Sequence, residues 1–208
     1  CLRGRSSGRC VVIRGSTHVA FYAFSSSLNR IISTLFSKRA FMSAQVILQP
    51  NRDKSLRRRH PWIFESAVAE VKGRAKLGDT VDVFGSEGEW LGRGAYSPES
   101  KIRIRMWTFK KDESIDNGFF MRKLETALVL RKRLFNPATT NAFRWIASES
   151  DGLPGITIDL YDNVAVVQLL SAGGEKHRSK IVWAITKLLP DVHIYERSDV
   201  DVRKKEGL

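Results

Sequence analysis

Thr80-Val81-Asp82-Val83-Phe84-Gly85-Ser86-Glu87-Gly88-Glu89-Trp90-Leu91-Gly92 is the stretch that decides the fold class. Val81 and Val83 alternate with polar neighbours, the period-two pattern of a strand with one buried face. Gly85 to Gly88 supplies a turn, and a second strand opens at Glu89-Trp90. Two strands alone bury too little surface to be stable, so the hairpin needs partners on either side. Downstream, Ile102-Arg103-Ile104-Arg105-Met106-Trp107 alternates strictly, placing Ile102, Ile104 and Met106 on one face and Arg103 and Arg105 on the other. Upstream, Val46-Ile47-Leu48 is a further short strand. Gly92, Gly94 and Ser97-Pro98 are expected to interrupt the second strand of the hairpin, as happens where a small barrel turns a corner. Five or six short strands over residues 42–113 predict a small β-barrel.

The period changes after Phe109. From Asp116 to Phe135, the residues Phe120, Leu124, Ala127, Leu128 and Leu134 recur near helical spacing, and Asn136-Pro137 ends the run. Strands follow at 143–147, 155–160 and 164–170, with a turn at Ser150-Asp151-Gly152-Leu153-Pro154-Gly155 between the first two. A second helix uses Ile181, Val182, Ile185, Leu188 and Leu189, closed by Pro190-Asp191, and Val192 to Tyr195 reads as a strand. Residues 114–208 are therefore expected to form a small mixed α+β domain, making the whole chain α+β. The chain ends in the charged run Arg203-Lys204-Lys205-Glu206-Gly207 with no evident closing element, which reads as truncation.

The formal charge of +13 is unevenly placed. Residues 1–41 hold seven Lys or Arg and no acid, leaving the remainder at a milder +6. That balance suits a polyanionic partner without naming one. The acid-free, Arg- and Ser-rich leader 1–41 has the composition of an organellar transit peptide. The preferred reading is translation from upstream of a true start at Met42, since Met42-Ser43-Ala44 leads directly into the domain pattern. Both cysteines, Cys1 and Cys10, lie in this leader, so the folded part offers no disulfide, no Cys-based metal site and no thiol nucleophile. His18, His60, His177 and His193 show no ligand spacing, and no run of 18 apolar residues exists to span a membrane.

One stretch stands apart chemically: Lys54-Ser55-Leu56-Arg57-Arg58-Arg59-His60-Pro61-Trp62-Ile63-Phe64 packs cations against aromatics, beginning as a turn or single helical turn. Cations attract phosphate whatever the sequence, and flat rings offer a face to an unpaired base. The competing reading is a solvated basic turn followed by a strand that buries Trp62 and Phe64. Lys54, Arg57, Arg58, Arg59 and His60, together with Arg103 and Arg105 of the alternating strand, are the candidate RNA contacts, expected to share one basic face of the barrel. Trp62, Trp90 and Trp107 read as core residues rather than stacking platforms. Glu149 and Asp151 resemble an acid–base pair, but with no nucleophile or histidine beside them they read as turn acids.

Four motifs recur in fixed order: Arg59-His60-Pro61-Trp62-Ile63-Phe64, Arg93-Gly94-Ala95-Tyr96-Ser97-Pro98, Glu149-Ser150-Asp151-Gly152-Leu153-Pro154-Gly155-Ile156, and Arg197-Ser198-Asp199-Val200 with Arg203 to Gly207. Residues 42–208 thereby resemble the S-adenosylmethionine-dependent large-subunit ribosomal RNA methyltransferases that begin with a PUA domain, above all the bacterial cytosine-5 enzymes. The resemblance implies a PUA barrel, a central α+β domain and a Rossmann-like catalytic domain, with ribosomal RNA as partner and a cytoplasmic location. It also implies S-adenosylmethionine as cofactor of the full-length enzyme. The catalytic domain has no counterpart here. Gly152-Leu153-Pro154-Gly155 lacks G-x-G spacing and sits between strands, and no cysteine after Cys10 could add to carbon 6 of cytosine. The expectation is an RNA-recognition part that binds no donor and transfers no methyl group. A free-standing PUA-type RNA-binding module is the alternative.

Overall fold

In a computed structural model, residues 44–208 are described, and they belong to one compact unit. The reading of the leader 1–41 lies outside them. Six strands, β1 (Gln45–Leu48), β2 (Trp62–Phe64), β3 (Val68–Lys72), β4 (Thr80–Phe84), β5 (Trp90–Tyr96) and β6 (Ile102–Thr108), form one sheet in the order β2-β6-β5-β4-β1-β3. All pairs are antiparallel except β1 with β4. The two edge strands, β2 and β3, are joined by only the 3-10 turn Glu65–Ala67. A flat six-stranded sheet would hold its edges about 24 Å apart. The connection from Phe64 to Val68 reaches at most about 14 Å. The sheet must therefore curl back on itself, and its concave side is filled by Val46, Leu48, Ile63, Val81, Val83, Ile104 and Met106.

The hairpin forms as the sequence predicts. Gly85 N–H donates to the Glu89 carbonyl (2.9 Å), and Gly88 takes φ +87°, a conformation that favours glycine. The expected interruption of β5 does not occur. The strand runs through Gly92 and Gly94, with a register shift against β6 at Arg93/Gly94. A Cβ at Gly94 would lie 2.6 Å from the Arg105 carbonyl, so glycine here lets two strands approach closely rather than ending one. A second correction concerns β2: Ile63 is the buried residue, while Trp62 is only half-buried and Phe64 is exposed.

The second sheet contains β7 (Ala142–Ala147), β8 (Ile156–Tyr161), β9 (Val164–Leu169) and β10 (His193–Glu196) in the order β10-β9-β8-β7, with only β9–β10 parallel. After the short α1 (Lys54–Arg57), three more helices follow: α2 (Asn117–Leu134), α3 (Ala172–Lys176) and α4 (Arg178–Leu188). Asp116 caps α2 by accepting from Phe119 N–H at 2.9 Å. The helix buries Phe119, Phe120, Leu124, Ala127 and Leu128. Leu134 and Val182, both expected in the core, are exposed. Trp145 is fully buried because its indole N–H reaches the Leu124 carbonyl at 2.9 Å.

The two sheets meet along a seam in which α3 is the central piece. Ala95 and Trp107 of the first sheet belong to the second sheet's core. A Cβ at Gly173 would lie 2.3 Å from Ala95 Cβ and 2.7 Å from Trp107 Cζ2, so a bare backbone is required there. His177 packs between the Trp107 and Phe120 rings, with Nε2 3.3 Å from Thr80 Oγ1, and Lys176 pairs with Asp79 at 3.0 Å. Burial, reinforced by the charges of Lys180 and Lys176, pushes the His177 imidazole down to about 4.

Candidate nucleic-acid interface

The basic segment is built on one apolar anchor. Leu56 is buried, and its neighbours Lys54, Arg57, Arg58, Arg59 and His60 are exposed. Arg59 ends the turn in the left-handed region (φ 63°), and its guanidinium lies 5.9 Å from the Phe109 ring centroid. His60 Nδ1 accepts from Trp62 N–H at 3.2 Å. Arg57 differs from its neighbours, since it pairs with both Asp53 and Glu89. Among the described residues, Lys54, Arg58 and Arg59 form no ion pair.

The β6 arginines have different surroundings. Arg103 pairs with Glu65 at 2.7 Å, and its side chain is 14% exposed. The Arg105 side chain is 11% exposed, 2.8 Å from Glu206 and 3.7 Å from Glu149, with its guanidinium 5.6 Å from the Trp62 ring centroid. Glu206, 2% exposed, also accepts from Ser97 Oγ (3.0 Å), Ser100 Oγ (2.7 Å) and the Ala172 N–H (3.4 Å). Glu149 accepts from the Trp62 indole at 2.9 Å. Burial alone would raise the Glu149 carboxyl, but hydrogen bonds from Ser148 and Trp62 and the Arg105 charge bring it below its ordinary value.

Arg105 thus joins all four sequence motifs: Trp62 from the first, Ser97 from the second through Glu206, Glu149 from the third and Glu206 from the fourth. In the sequence these motifs stand apart, and the Arg197–Glu206 run reads either as a junction to a further domain or as a segment that faces RNA. No local signal pairs them, because Arg105 and Glu206 are 101 positions apart. The final charged run is not loose: Asp201–Glu206 is a 3-10 turn docked by Glu206, with Arg203 donating to the Leu169 carbonyl at 2.6 Å. The acids of the Ser148–Asp151 turn are likewise structural partners, Asp151 accepting from Arg131 and from Ala147 N–H at 2.7 Å each.

Beside this knot, a groove of about 700 Å³ runs between the end of β6 and α2. Arg59, Trp107, Phe109, Lys110, Arg122 and Lys123 contribute to its walls. Three carboxylates also line it, and each is held: Glu113 by Thr108 (2.5 Å) and Arg122 (3.1 Å), Glu149 and Asp151 as above. A separate cavity of about 310 Å³ lies beside α1, bounded by Lys54, Trp62 and Phe64 among others.

Among the described residues, two glycine-containing junctions bear on the methyl donor that the resemblance implies, and neither has an open glycine-rich loop. The strand–glycine–helix junction in the second sheet is β9 into α3, through Ser171-Ala172-Gly173-Gly174. Its glycines are packed against Ala95, Trp107 and Ile156, and its N-terminal amides are taken by Ser171 and Glu206. Gly152 and Gly155 lie in a turn between strands. Among the described residues no group of three or more His, Cys, Asp or Glu could hold a metal ion, and no helix is long and apolar enough to cross a membrane.

The profile of the PUA-like domain family matches residues 46–109, the segment that forms β1 to β6. The chain is 87% identical over 167 residues to ribosomal RNA large subunit methyltransferase I of Alteromonas mediterranea and 60% identical over 167 residues to the protein of that name from Pseudoalteromonas atlantica. Each alignment covers 80% of this chain and 42% of the relative, so the chain spans less than half the length of the curated proteins it matches. A solved structure from Streptococcus mutans, classed as a SAM-dependent methyltransferase, superposes with a TM-score of 0.64 at 19% identity, over 74% of this chain and 40% of that one. At that identity the likeness concerns the fold. The resemblance read from the four motifs is borne out: residues 46–109 match the PUA-like domain family, and the chain is similar to proteins named ribosomal RNA large subunit methyltransferase I.

Proposed function

We propose that this chain is the RNA-recognition part of an S-adenosylmethionine-dependent large-subunit rRNA methyltransferase acting on carbon 5 of cytosine in the cytoplasm. In this reading residues 42–113 are the RNA-binding barrel and residues 114–208 the central domain. The observation that carries it is the exposed cluster Lys54, Arg58, Arg59 and His60 on a sheet that matches the PUA-like family, in which Lys54, Arg58 and Arg59 form no ion pair among the described residues. Exposed cations not held in an ion pair are the groups able to release counterions when phosphate binds. Arg57, Arg103 and Arg105 are occupied by acids and serve to hold the segment in place.

Chemistry is expected to reside outside these residues, since carbon-5 methylation needs a thiolate and a donor loop. The test has two arms. The 208-residue chain should bind a ribosomal RNA fragment, with affinity falling about 50-fold between roughly 50 and 200 mM salt if about four phosphates of a single strand are neutralised. Calorimetry with S-adenosylmethionine should give no saturable heat. Absence of RNA binding would overturn the recognition role, and micromolar donor binding would overturn the assignment of chemistry elsewhere.

A further inference from the structure

We propose that the groove between β6 and α2 is a binding site for one unpaired nucleotide of a single-stranded RNA, with its phosphates on Lys110, Lys123 and Arg59 and its base on Phe109. The inference rests on the RNA-recognition reading above and adds where a strand sits and in what form.

Size comes first: about 700 Å³ lies within the range of small-ligand sites and leaves room for a nucleotide. Charge comes second. The three carboxylates of the groove are each engaged by protein donors, while Arg59, Lys110 and Lys123 form no ion pair with any described carboxylate. Lys123 Nζ instead lies 5.6 Å from the Phe119 ring centroid, and Arg59 stacks over Phe109. The Arg59 side chain is exposed, and a cation–ring contact at an exposed site is weak, so it is readily moved. Arg59, held at the rim by its left-handed backbone, can swing from Phe109 to a phosphate, and the uncovered ring then accepts a base.

The form of RNA follows from shape. A duplex presents phosphates and hydroxyls but keeps its base faces stacked, so it could use the lysines and not Phe109. An extruded or single-stranded base could use both. The groove shares no lining residue with the cavity beside α1, so the two sites can be tested separately.

The experiment measures binding of the whole chain to a fluorescein-labelled 12-nucleotide single-stranded RNA and to a hairpin stem, at about 0.1 M salt. Lys110→Ala with Lys123→Ala should weaken both, by about fivefold per lysine. Phe109→Leu, which keeps an apolar side chain in the barrel, should weaken the single strand about tenfold and leave the stem unchanged. Lys187→Ala, a surface charge that does not line the groove, should change neither. Circular dichroism melts confirm folding of each variant, and the exposed Lys110 variant keeps the test available if Phe109→Leu unfolds. If the wild-type chain binds no RNA, the recognition reading itself fails. If it binds normally and the groove variants bind as well as wild type, the recognition reading stands and the groove is not the site. Equal losses for single strand and stem in Phe109→Leu would overturn the base-stacking step.

Discussion

Arg58 and Arg105 carry the same side chain in the same six-stranded sheet region, yet the fold uses them in opposite ways. Arg58 is exposed on the turn after α1 and forms no ion pair among the described residues. Arg105 lies in the seam, close to two carboxylates and over an indole. An exposed guanidinium contributes little to stability and much to attraction of a polyanion. One in the seam does the reverse, because neither it nor its carboxylate can be removed without stranding the other in a poorly solvated site. Charge count alone therefore overstates the exposed basic face: Arg58 and Arg59 are exposed and form no ion pair among the described residues, whereas Arg103 and Arg105 are largely buried beside carboxylates.

The sharpest way to break this comparison is Arg105→Ala. Glu206, 2% exposed, would keep only its hydroxyl and amide donors. Breaking such a pair from one side costs about 3–5 kcal/mol. Urea denaturation should show that loss, and Arg105→Ala combined with Glu206→Gln should cost less than the two changes added together. Additive losses would mean that the pair does not act as a unit.

The seam also contains a titratable group that the exposed segment does not match. The His177 imidazole is pushed to about 4 from an ordinary value near 6.5. Between those values the unfolded chain binds the proton and the folded chain does not. Stability therefore rises with pH across that window and is lost as pH falls from about 6.5 toward 4, by up to about 3 kcal/mol. The carboxyls of Glu149, Asp79, Glu113 and Glu175, all lowered, add acid sensitivity below about pH 5. In His177→Gln the slope between pH 6.5 and about 5 should vanish, whatever the variant's stability at pH 7. Persistence of the slope would place its origin elsewhere.

Gly173→Ala is a smaller disturbance of the same seam. The added methyl would meet Ala95 Cβ at 2.3 Å and the Trp107 ring at 2.7 Å, and the cost of such overpacking is about 1–3 kcal/mol. Thermal unfolding measures it. A neutral result would mean that α3 can shift away from the first sheet without penalty.

Legibility in the sequence divides along the same line. Local periodicity was enough to find β4, β5, β6, α2 and the strands of the second sheet, because each repeats its apolar residues at the spacing of one element. Asp116 before the helix and Gly88 in the hairpin are local signals of the same kind. The seam is non-local, and its signals looked like something else. Gly92 and Gly94 read as breaks although they permit close packing with β6, and Gly173 gave no signal at all. Arg103 and Arg105 read as a solvent-facing row, since alternation tells which residues share a face and not what covers that face. Leu134 and Val182 matched the helical period but lie where no sheet covers them. The candidate interface was legible at α1, where cations and exposure coincide in sequence. It was illegible at the groove, where Arg59, Lys110 and Lys123 come together only through the packing of α2 against the first sheet.

The mildest expected effect on stability is also the clearest contrast with Arg105. Lys54→Ala with Arg58→Ala removes two exposed cations that form no ion pair among the described residues. Stability should stay within about 0.5 kcal/mol of wild type by urea denaturation, since neither side chain is packed or paired. RNA binding should change instead. If both cations meet phosphates of a single strand, the salt slope drops by about 1.4, and the loss between roughly 50 and 200 mM salt shrinks from about 50-fold to about 7-fold. The contrast holds only if the two readouts separate. A stability loss like that of Arg105→Ala would mean that α1 is part of the scaffold. An unchanged salt slope would confine phosphate contact to Arg59, Lys110 and Lys123 at the groove, and the exposed turn after α1 would then be a solvated surface.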